Sequence, residues 1–205
     1  MLDRAANAAL MPLLDRIARG LVRAGIGADA VTLAGFGIGI AAAVAIALQA
    51  YLVGLALLLA SRLADGLDGA VARLTQPTDR GAFLDITLDF LFYASIPLAF
   101  AFADPGANAL AAALLLAAFI GTGSSFLAFA ALAGQRGIAP GDAYPNKGLY
   151  YLGGLTEATE TLLCFALMCL WPGRFAWWAC GFAALCAITT ATRIVGGARM
   201  LARRV

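Results

Sequence analysis

Tyr51-Leu52-Val53-Gly54-Leu55-Ala56-Leu57-Leu58-Leu59-Ala60 runs without a charge, then continues through Ser61-Arg62-Leu63-Ala64 into Asp65-Gly66-Leu67-Asp68-Gly69-Ala70-Val71-Ala72-Arg73. A helix needs about 20 largely apolar residues to cross a hydrocarbon core, and Tyr51 to Leu74 supplies that length with its charges crowded at one end. Five further apolar stretches surround it, near Ala30 to Ala50, Ala82 to Ala103, Asn108 to Ala133, Gly148 to Trp171 and Phe175 to Gly196. Each is long enough to span, so the expected fold class is an all-α integral membrane protein with six transmembrane helices. Ahead of them Leu2, Leu10, Leu13, Leu14, Ile17, Leu21 and Val22 recur at helical spacing with charges between. That pattern predicts an N-terminal amphipathic helix over 1–25, either lying along the membrane surface or packed as an ordinary surface helix.

Composition agrees with that reading. The chain has 205 residues, 62% of them hydrophobic and only 13% charged, and its mean hydropathy is +0.88. A soluble domain of this length would be far less apolar. The expected organisation is one membrane domain over 1–205, with the six-helix bundle at 30–196. Asp3, Arg4, Asp15, Arg16 and Arg19 interrupt the run a cleaved signal peptide would need, so the start reads as mature sequence. A formal charge of +2 without a basic, aromatic-interleaved run excludes a nucleic-acid partner. The absence of histidine removes serine-histidine triads, histidine-bound haem and most catalytic zinc sites. Cys164, Cys169, Cys180 and Cys186 lie in apolar segments without metal-ligand spacing and read as small hydrophobes. With both termini in the cytoplasm, Arg174 alone among the basic residues falls outside, which sets the orientation. The Gln135 to Lys147 loop then faces the cytoplasm, and Trp171, Trp177 and Trp178 form an outer interfacial belt.

The acids carry the chemistry. Asp65 and Asp68 stand at i, i+3 and Asp85 and Asp89 at i, i+4, so each pair shares a helix face, and the short connection makes the two helices antiparallel neighbours whose carboxylates can converge. At about 3.6 residues per turn, Gly69, Ala72 and Arg73 lie on the side of Asp65, while Gly81 precedes Asp85 by one turn. Small residues there either let helices pack closely or clear room for a planar nucleotide and its diphosphate, with Arg73 as a phosphate contact. One charge at the centre of a membrane helix costs about 3 kcal/mol, and clustered anions repel further, so four carboxylates require cations. An oxygen-only donor set suits magnesium or manganese, and two such ions about 4 Å apart serve in-line displacement at phosphorus.

The pattern Asp65-x2-Asp68-Gly69-x2-Ala72-Arg73-x7-Gly81-x3-Asp85-x3-Asp89 resembles the complete signature of the CDP-alcohol phosphatidyltransferases. No position departs from it, and the six-helix plan with a leading surface helix is similar too, most of all to bacterial inner-membrane members. The resemblance implies that a phosphatidyl group passes from CDP-diacylglycerol to the hydroxyl of a small alcohol, releasing CMP, in phospholipid biosynthesis. It implies that Asp65, Asp68 and Asp85 hold magnesium or manganese, with Asp89 sharing the metal and acting as base. It further implies that Asp68, Gly69, Ala72, Arg73 and Gly81 line the CDP site, and that the chain works as a homodimer in the inner membrane with its active site toward the cytoplasm. Many relatives carry Pro-Asn shortly before a Thr at the start of the first spanning helix, where this chain has Gly27-Ala28-Asp29-Ala30-Val31-Thr32. Thr32 is left either to contact the nucleotide or to serve the backbone.

Polar residues in later helices suggest an acceptor pocket. Glu157 or Glu160 with Arg193 or Arg62 could form its wall, or could be an interhelical ion pair that fixes packing. Lys147 either meets a phosphorylated acceptor or anchors a helix end. Arg193 and Lys147 lean toward glycerol 3-phosphate or inositol phosphate, whereas the glutamates suit polyol hydroxyls or an amine equally well. The alternative function is divalent-cation transport through intramembrane aspartates. It would call for polar groups spread across the membrane, whereas Tyr51 to Ala60 is wholly apolar. A non-catalytic scaffold would have no reason to keep four carboxylates together.

Overall fold

The computed structural model describes residues 2–136 and 156–202, with side chains from residue 11 onward. Seven α-helices are present among the described residues: α1 (Leu2–Arg23), α2 (Ala28–Ala47), α3 (Tyr51–Leu74), α4 (Asp79–Ala103), α5 (Pro105–Gln135), α6 (Ala158–Leu170) and α7 (Phe175–Ala202). Lys147, most of the Gln135 to Lys147 loop and the expected start of the fifth span at Gly148 lie outside the described residues.

Among the described residues, four segments are long and apolar enough to cross a membrane: Ala28–Ala47, Asp79–Ala103, Pro105–Gln135 and Pro172–Ala202. The chain is therefore a membrane protein. The other two expected spans differ for separate reasons. α3 has the length, but Arg62, Asp65, Asp68 and Arg73 interrupt it from its middle onward. α6 is apolar, but its described part is only 13 residues long.

Local chemistry explains where the elements stop. α1 ends in a Schellman motif, with Gly25 at φ +75, its N–H donating to the Val22 carbonyl and the Ile26 N–H to the Leu21 carbonyl. α2 closes the same way on Gln49, a non-glycine at φ 63. A left-handed residue costs roughly 1–2 kcal/mol, and here the Gln49 side-chain amide donates to the Ala103 carbonyl at 2.9 Å, tying the α2–α3 turn to the end of α4. α4 begins three residues earlier than the apolar pattern suggested, because Thr78 caps it by accepting from the Gly81 N–H at 3.0 Å. Asp104 caps α5 through the Ala107 N–H at 3.1 Å, with Pro105 opening the helix.

The main core runs through α2, α3, α4, α5, α6 and α7 around Ile46, Leu58, Phe92, Phe100, Leu115, Phe165 and Phe182. Tyr51, Phe100 and Phe175 stack in sequence at 5.7 and 4.6 Å, which locks together the end of the bundle remote from the aspartates. A smaller cluster seats α1 beneath α3, where Leu14 and Ala18 pack on Val31, Ala70 and Val71. Met11, Leu13 and Ile17 remain exposed on α1. One arrangement departs from the sequence reading. α3 and α4 do not pack along their lengths; each packs on α2 instead. Gly35 and Gly39 permit this, since a Cβ on Gly39 would stand 2.6 Å from Phe92 and 2.9 Å from Ser61 Oγ. With α2 holding both helices, their acidic ends converge.

Candidate active site

α3 presents Asp65 and Asp68, and α4 presents Asp85, on faces that meet at the end of the bundle where the two helices are joined. One carboxylate oxygen from each of the three lies within 4.8 Å of the others. Asp68 is buried, and its Oδ2 is enclosed with no hydrogen-bond partner. A buried carboxylate oxygen without a donor is costly in an apolar setting unless a cation faces it. Three converging carboxylates, one with an orphaned oxygen and none accompanied by a soft ligand, fit a hard divalent cation such as magnesium or manganese.

Asp89 is set apart from this group. Its Oδ1 accepts from Arg62 Nη1 at 2.6 Å, and the same nitrogen lies 3.4 Å from Asp65 Oδ1. Sequence spacing alone placed all four acids together, whereas three converge and the fourth is held by a guanidinium from the preceding turn of α3.

A cleft of about 380 Å³ opens beside the acids, lined by Thr32, Asp68, Gly69, Ala72, Gly81 and Asp85. Six of the residues expected at the nucleotide or metal site thus share one wall. Arg73 does not line it. Its Nη2 reaches toward Asp15 of α1, 3.9 Å away, at a half-exposed position. Thr32 donates to the Ala28 carbonyl at 3.1 Å, the backbone role left open by the sequence. Asp29 and the connection Thr75, Gln76, Pro77 and Thr78 also face the cleft. Asp29 is paired with Arg80 at 3.4 Å. The Thr78 cap was the sequence signal that could have located this rim.

A second cavity, about 400 Å³, lies on the other side of Asp89 between α4, α5, α6 and α7. Its wall includes Asp89, Tyr93, Thr122, Glu157, Thr161 and Arg193. Arg193 Nη1 donates to the Thr122 carbonyl at 3.1 Å, and its guanidinium stands 5.7 Å from the Phe126 ring. Glu157 and Arg193 are therefore brought together with Asp89 on one cavity. Glu160 is not among them. Its Oε2 accepts from the Glu157 N–H at 3.1 Å at the start of α6, and it faces a separate groove with Trp177 and Trp178. Nothing structural is described for Lys147.

Asp68 and Asp85 thus border one cleft and Asp89 a second cavity. Residues 26–192 match the model of the CDP-alcohol phosphatidyltransferase family. The chain belongs to that family. It is accordingly a membrane-embedded transferase of phospholipid biosynthesis that moves phosphatidyl groups. The inner membrane protein YnjF of Escherichia coli K12 is 56% identical over 198 residues, covering 96% of this chain and 95% of that protein. The archaetidylinositol phosphate synthase of Methanothermobacter thermautotrophicus is 47% identical over 81 residues, 39% of this chain and 38% of that one. Among solved structures, the phosphatidylinositol phosphate synthase of Mycobacterium tuberculosis with CDP-DAG bound superposes with a TM-score of 0.73 at 23% identity. It covers 95% of this chain and 99% of that one. The same enzyme in complex with manganese and citrate gives a TM-score of 0.72, also at 23% identity, over 94% and 93% of the two chains. That likeness is one of fold.

Proposed function

We propose that the chain transfers the phosphatidyl group of CDP-diacylglycerol to the hydroxyl of a small phosphorylated alcohol, releasing CMP. The observation that carries this reading is that Asp68 and Asp85 line the polar cleft while Asp89 lines the second cavity. The triad thereby borders a compartment that suits a nucleotide, and Asp89 one that suits an acceptor.

In this reading Asp65, Asp68 and Asp85 hold magnesium or manganese, in a two-ion site once the diphosphate adds its own oxygens. When bound, such ions neutralise the diphosphate and make a nearby hydroxyl more acidic. Gly69, Ala72 and Gly81 leave room for the cytidine, Thr32 borders it, and Arg73 meets phosphate on leaving Asp15. Asp89 takes the proton from the acceptor hydroxyl. The acceptor oxygen then forms a bond to the lipid-side phosphorus as the bond from that phosphorus to the CMP oxygen breaks.

Arg193 on the cavity wall favours an anionic acceptor such as glycerol 3-phosphate or inositol phosphate, with Lys147 as a second phosphate contact. The names of the archaeal relative and of the mycobacterial enzyme point the same way. The test is incubation of the full-length protein with CDP-diacylglycerol and a panel of alcohols, reading CMP release and the lipid formed. Release with free but not phosphorylated alcohols would reject the acceptor class, and no release with any would reject the reaction.

The same proposal extends to a single domain of six spanning helices in a bacterial inner membrane. α3 and α6 make up the count, α1 lies on the membrane surface through Met11, Leu13 and Ile17, and the chain pairs as a homodimer. Both termini and the acids face the cytoplasm because the basic residues gather there. A cysteine at Gly173 should react with an impermeant thiol reagent in spheroplasts while one at Gln76 stays protected. The reverse pattern would invert the topology. Cross-linking in membranes should trap a dimer, and only monomer would reject the pairing.

A further inference from the structure

Asp89 and Tyr93 are i, i+4 neighbours on α4 and share a face. Helical side chains lean toward the N-terminus, which tilts the Tyr93 phenol back over the turn that carries Asp89. Both line the second cavity, of about 400 Å³. The ring is held from three sides. Phe92 meets it edge-on at 5.4 Å, Phe165 of α6 lies 6.2 Å away, and the Arg62 guanidinium stands 5.6 Å from its centroid. Tyrosine has only two side-chain torsions, so neighbours on α3, α4 and α6 are enough to fix the direction of its hydroxyl group.

The threonine hydroxyls of the same wall are already committed. Thr122 donates to the Phe119 carbonyl at 3.0 Å, Thr161 to the Glu157 carbonyl at 2.8 Å, and Thr156 to Thr189 Oγ1 at 3.2 Å. The phenolic proton of Tyr93, by contrast, goes to no acceptor among the described residues. Arg62, its polar neighbour, can only donate. Phe90, Phe119 and Phe126 make much of the remaining surface apolar. A buried O–H finds a partner as a rule, and here the oxygen comes from what fills the cavity. Position decides which oxygen. A phosphate beside Asp89 would be repelled by the carboxylate, and Arg193 elsewhere on the wall suits it better. With Asp89 at the reacting hydroxyl, an oxygen on the next carbon comes under the phenol.

We propose that Tyr93 is a specificity-determining residue whose phenol donates to a second hydroxyl of the acceptor, on the carbon next to the one that reacts, so that the acceptor class is a phosphorylated polyol. This rests on the reading of the second cavity as the acceptor site. An acceptor without that hydroxyl leaves the Tyr93 O–H unpaired among aromatic rings. A site built to bond a hydroxyl rejects such an analogue far more strongly than one that merely encloses it.

The test is a cycle between one atom of the protein and one of the acceptor, in the full chain in nanodiscs with CDP-diacylglycerol and magnesium. CMP release by wild type and by Tyr93→Phe is measured with glycerol 3-phosphate against 3-hydroxypropyl phosphate, which lacks the hydroxyl beside the reacting one. Inositol phosphate is measured against the two analogues that each lack one hydroxyl beside the reacting carbon. For the complete acceptor that turns over, wild type should prefer it to a deoxy analogue by about tenfold or more in kcat/KM, and Tyr93→Phe by less than about threefold. The loss in Tyr93→Phe should fall on the acceptor KM. Because phenylalanine keeps the ring, the thermal midpoint should hold and the KM for CDP-diacylglycerol should change by less than about twofold. The same preference in wild type and Tyr93→Phe would overturn the proposal, since it marks a ring that only shapes the cavity. An acceptor KM unmoved by Tyr93→Phe would overturn it as well. If wild type releases CMP with neither complete acceptor, the reading of the cavity fails and the proposal falls with it, a result distinct from turnover without coupling.

Discussion

Asp68 on α3 and Asp85 on α4 place carboxylate oxygens within 4.8 Å of each other and of Asp65, although the two helices pack on α2 instead of on one another. Like charges this close repel strongly unless a cation lies between them. Excess chelator should therefore abolish CMP release, and magnesium or manganese should restore it. Asp68→Asn should be among the most damaging single changes, because the orphaned Oδ2 of this buried residue is the donor best placed to require an ion. A loss of at least about a hundredfold in CMP release is expected. Full activity in chelator would reject the metal assignment.

Gly69 offers a test of the nucleotide cleft that leaves the fold alone. A Cβ there would meet only Arg73 Nη1, at an ordinary 3.5 Å. Gly69→Ala should change the KM for CDP-diacylglycerol by less than about threefold, since one methyl group adds little volume. Gly69→Leu should fill part of the cleft and raise that KM more than about tenfold with the thermal midpoint nearly unchanged. A midpoint that falls as KM rises would instead place Gly69 in helix packing.

Glu157 and Glu160 share a capping box at the start of α6 but border different cavities. Glu160 accepts from the Glu157 N–H at the start of α6, so Glu160→Ala should cost about 0.5–1 kcal/mol of stability and leave the acceptor KM unchanged. Glu157 borders the cavity of Asp89 and Arg193, so Glu157→Gln should shift the acceptor KM with little effect on CDP-diacylglycerol. Thermal unfolding and paired KM measurements separate the two, and matching effects of both substitutions would count against the division.

How far these features were legible in the sequence depended on the range of the forces involved. The limits of α3 follow from an apolar run between turn residues, and both fall where the pattern put them, at Tyr51 and Leu74. The meeting of Asp65, Asp68 and Asp85 follows from local helical register plus a short connection. The partner of Arg62 did not follow, because Asp89 is 27 positions away and only the wedge of α2, cleared by Gly35 and Gly39, decides which carboxylate the guanidinium meets. Arg73 has a neighbour that the sequence did not show, for a related reason. The signature sets it beside the phosphates, but α1 seats Asp15 within 3.9 Å of it, a contact that depends on how an N-terminal helix packs. Glu160 was drawn to a pocket by its depth, when the spacing to Glu157 already suited a capping box that satisfies a backbone donor locally.

The aspartates of α4 should separate binding from chemistry. Asp85 belongs to the converging triad and lines the nucleotide cleft. Asp85→Asn should therefore weaken Mn²⁺ binding and, with it, binding of CDP-diacylglycerol. Asp89 stands one turn deeper, is held by Arg62, and borders the other cavity. Asp89→Asn keeps the shape of the side chain and removes its capacity to take a proton, so CDP-diacylglycerol binding in magnesium should persist while turnover stops. Loss of a positioned base costs about 10²- to 10⁴-fold in rate, roughly 3 to 5 kcal/mol of barrier. Both variants are to be measured by equilibrium binding of CDP-diacylglycerol and by CMP release with the acceptor that the wild type uses. If Asp89→Asn turns over at near the normal rate, the proton leaves by another route, with water or Glu157 across the same cavity receiving it. If Asp85→Asn binds CDP-diacylglycerol normally, the triad is not what holds the diphosphate.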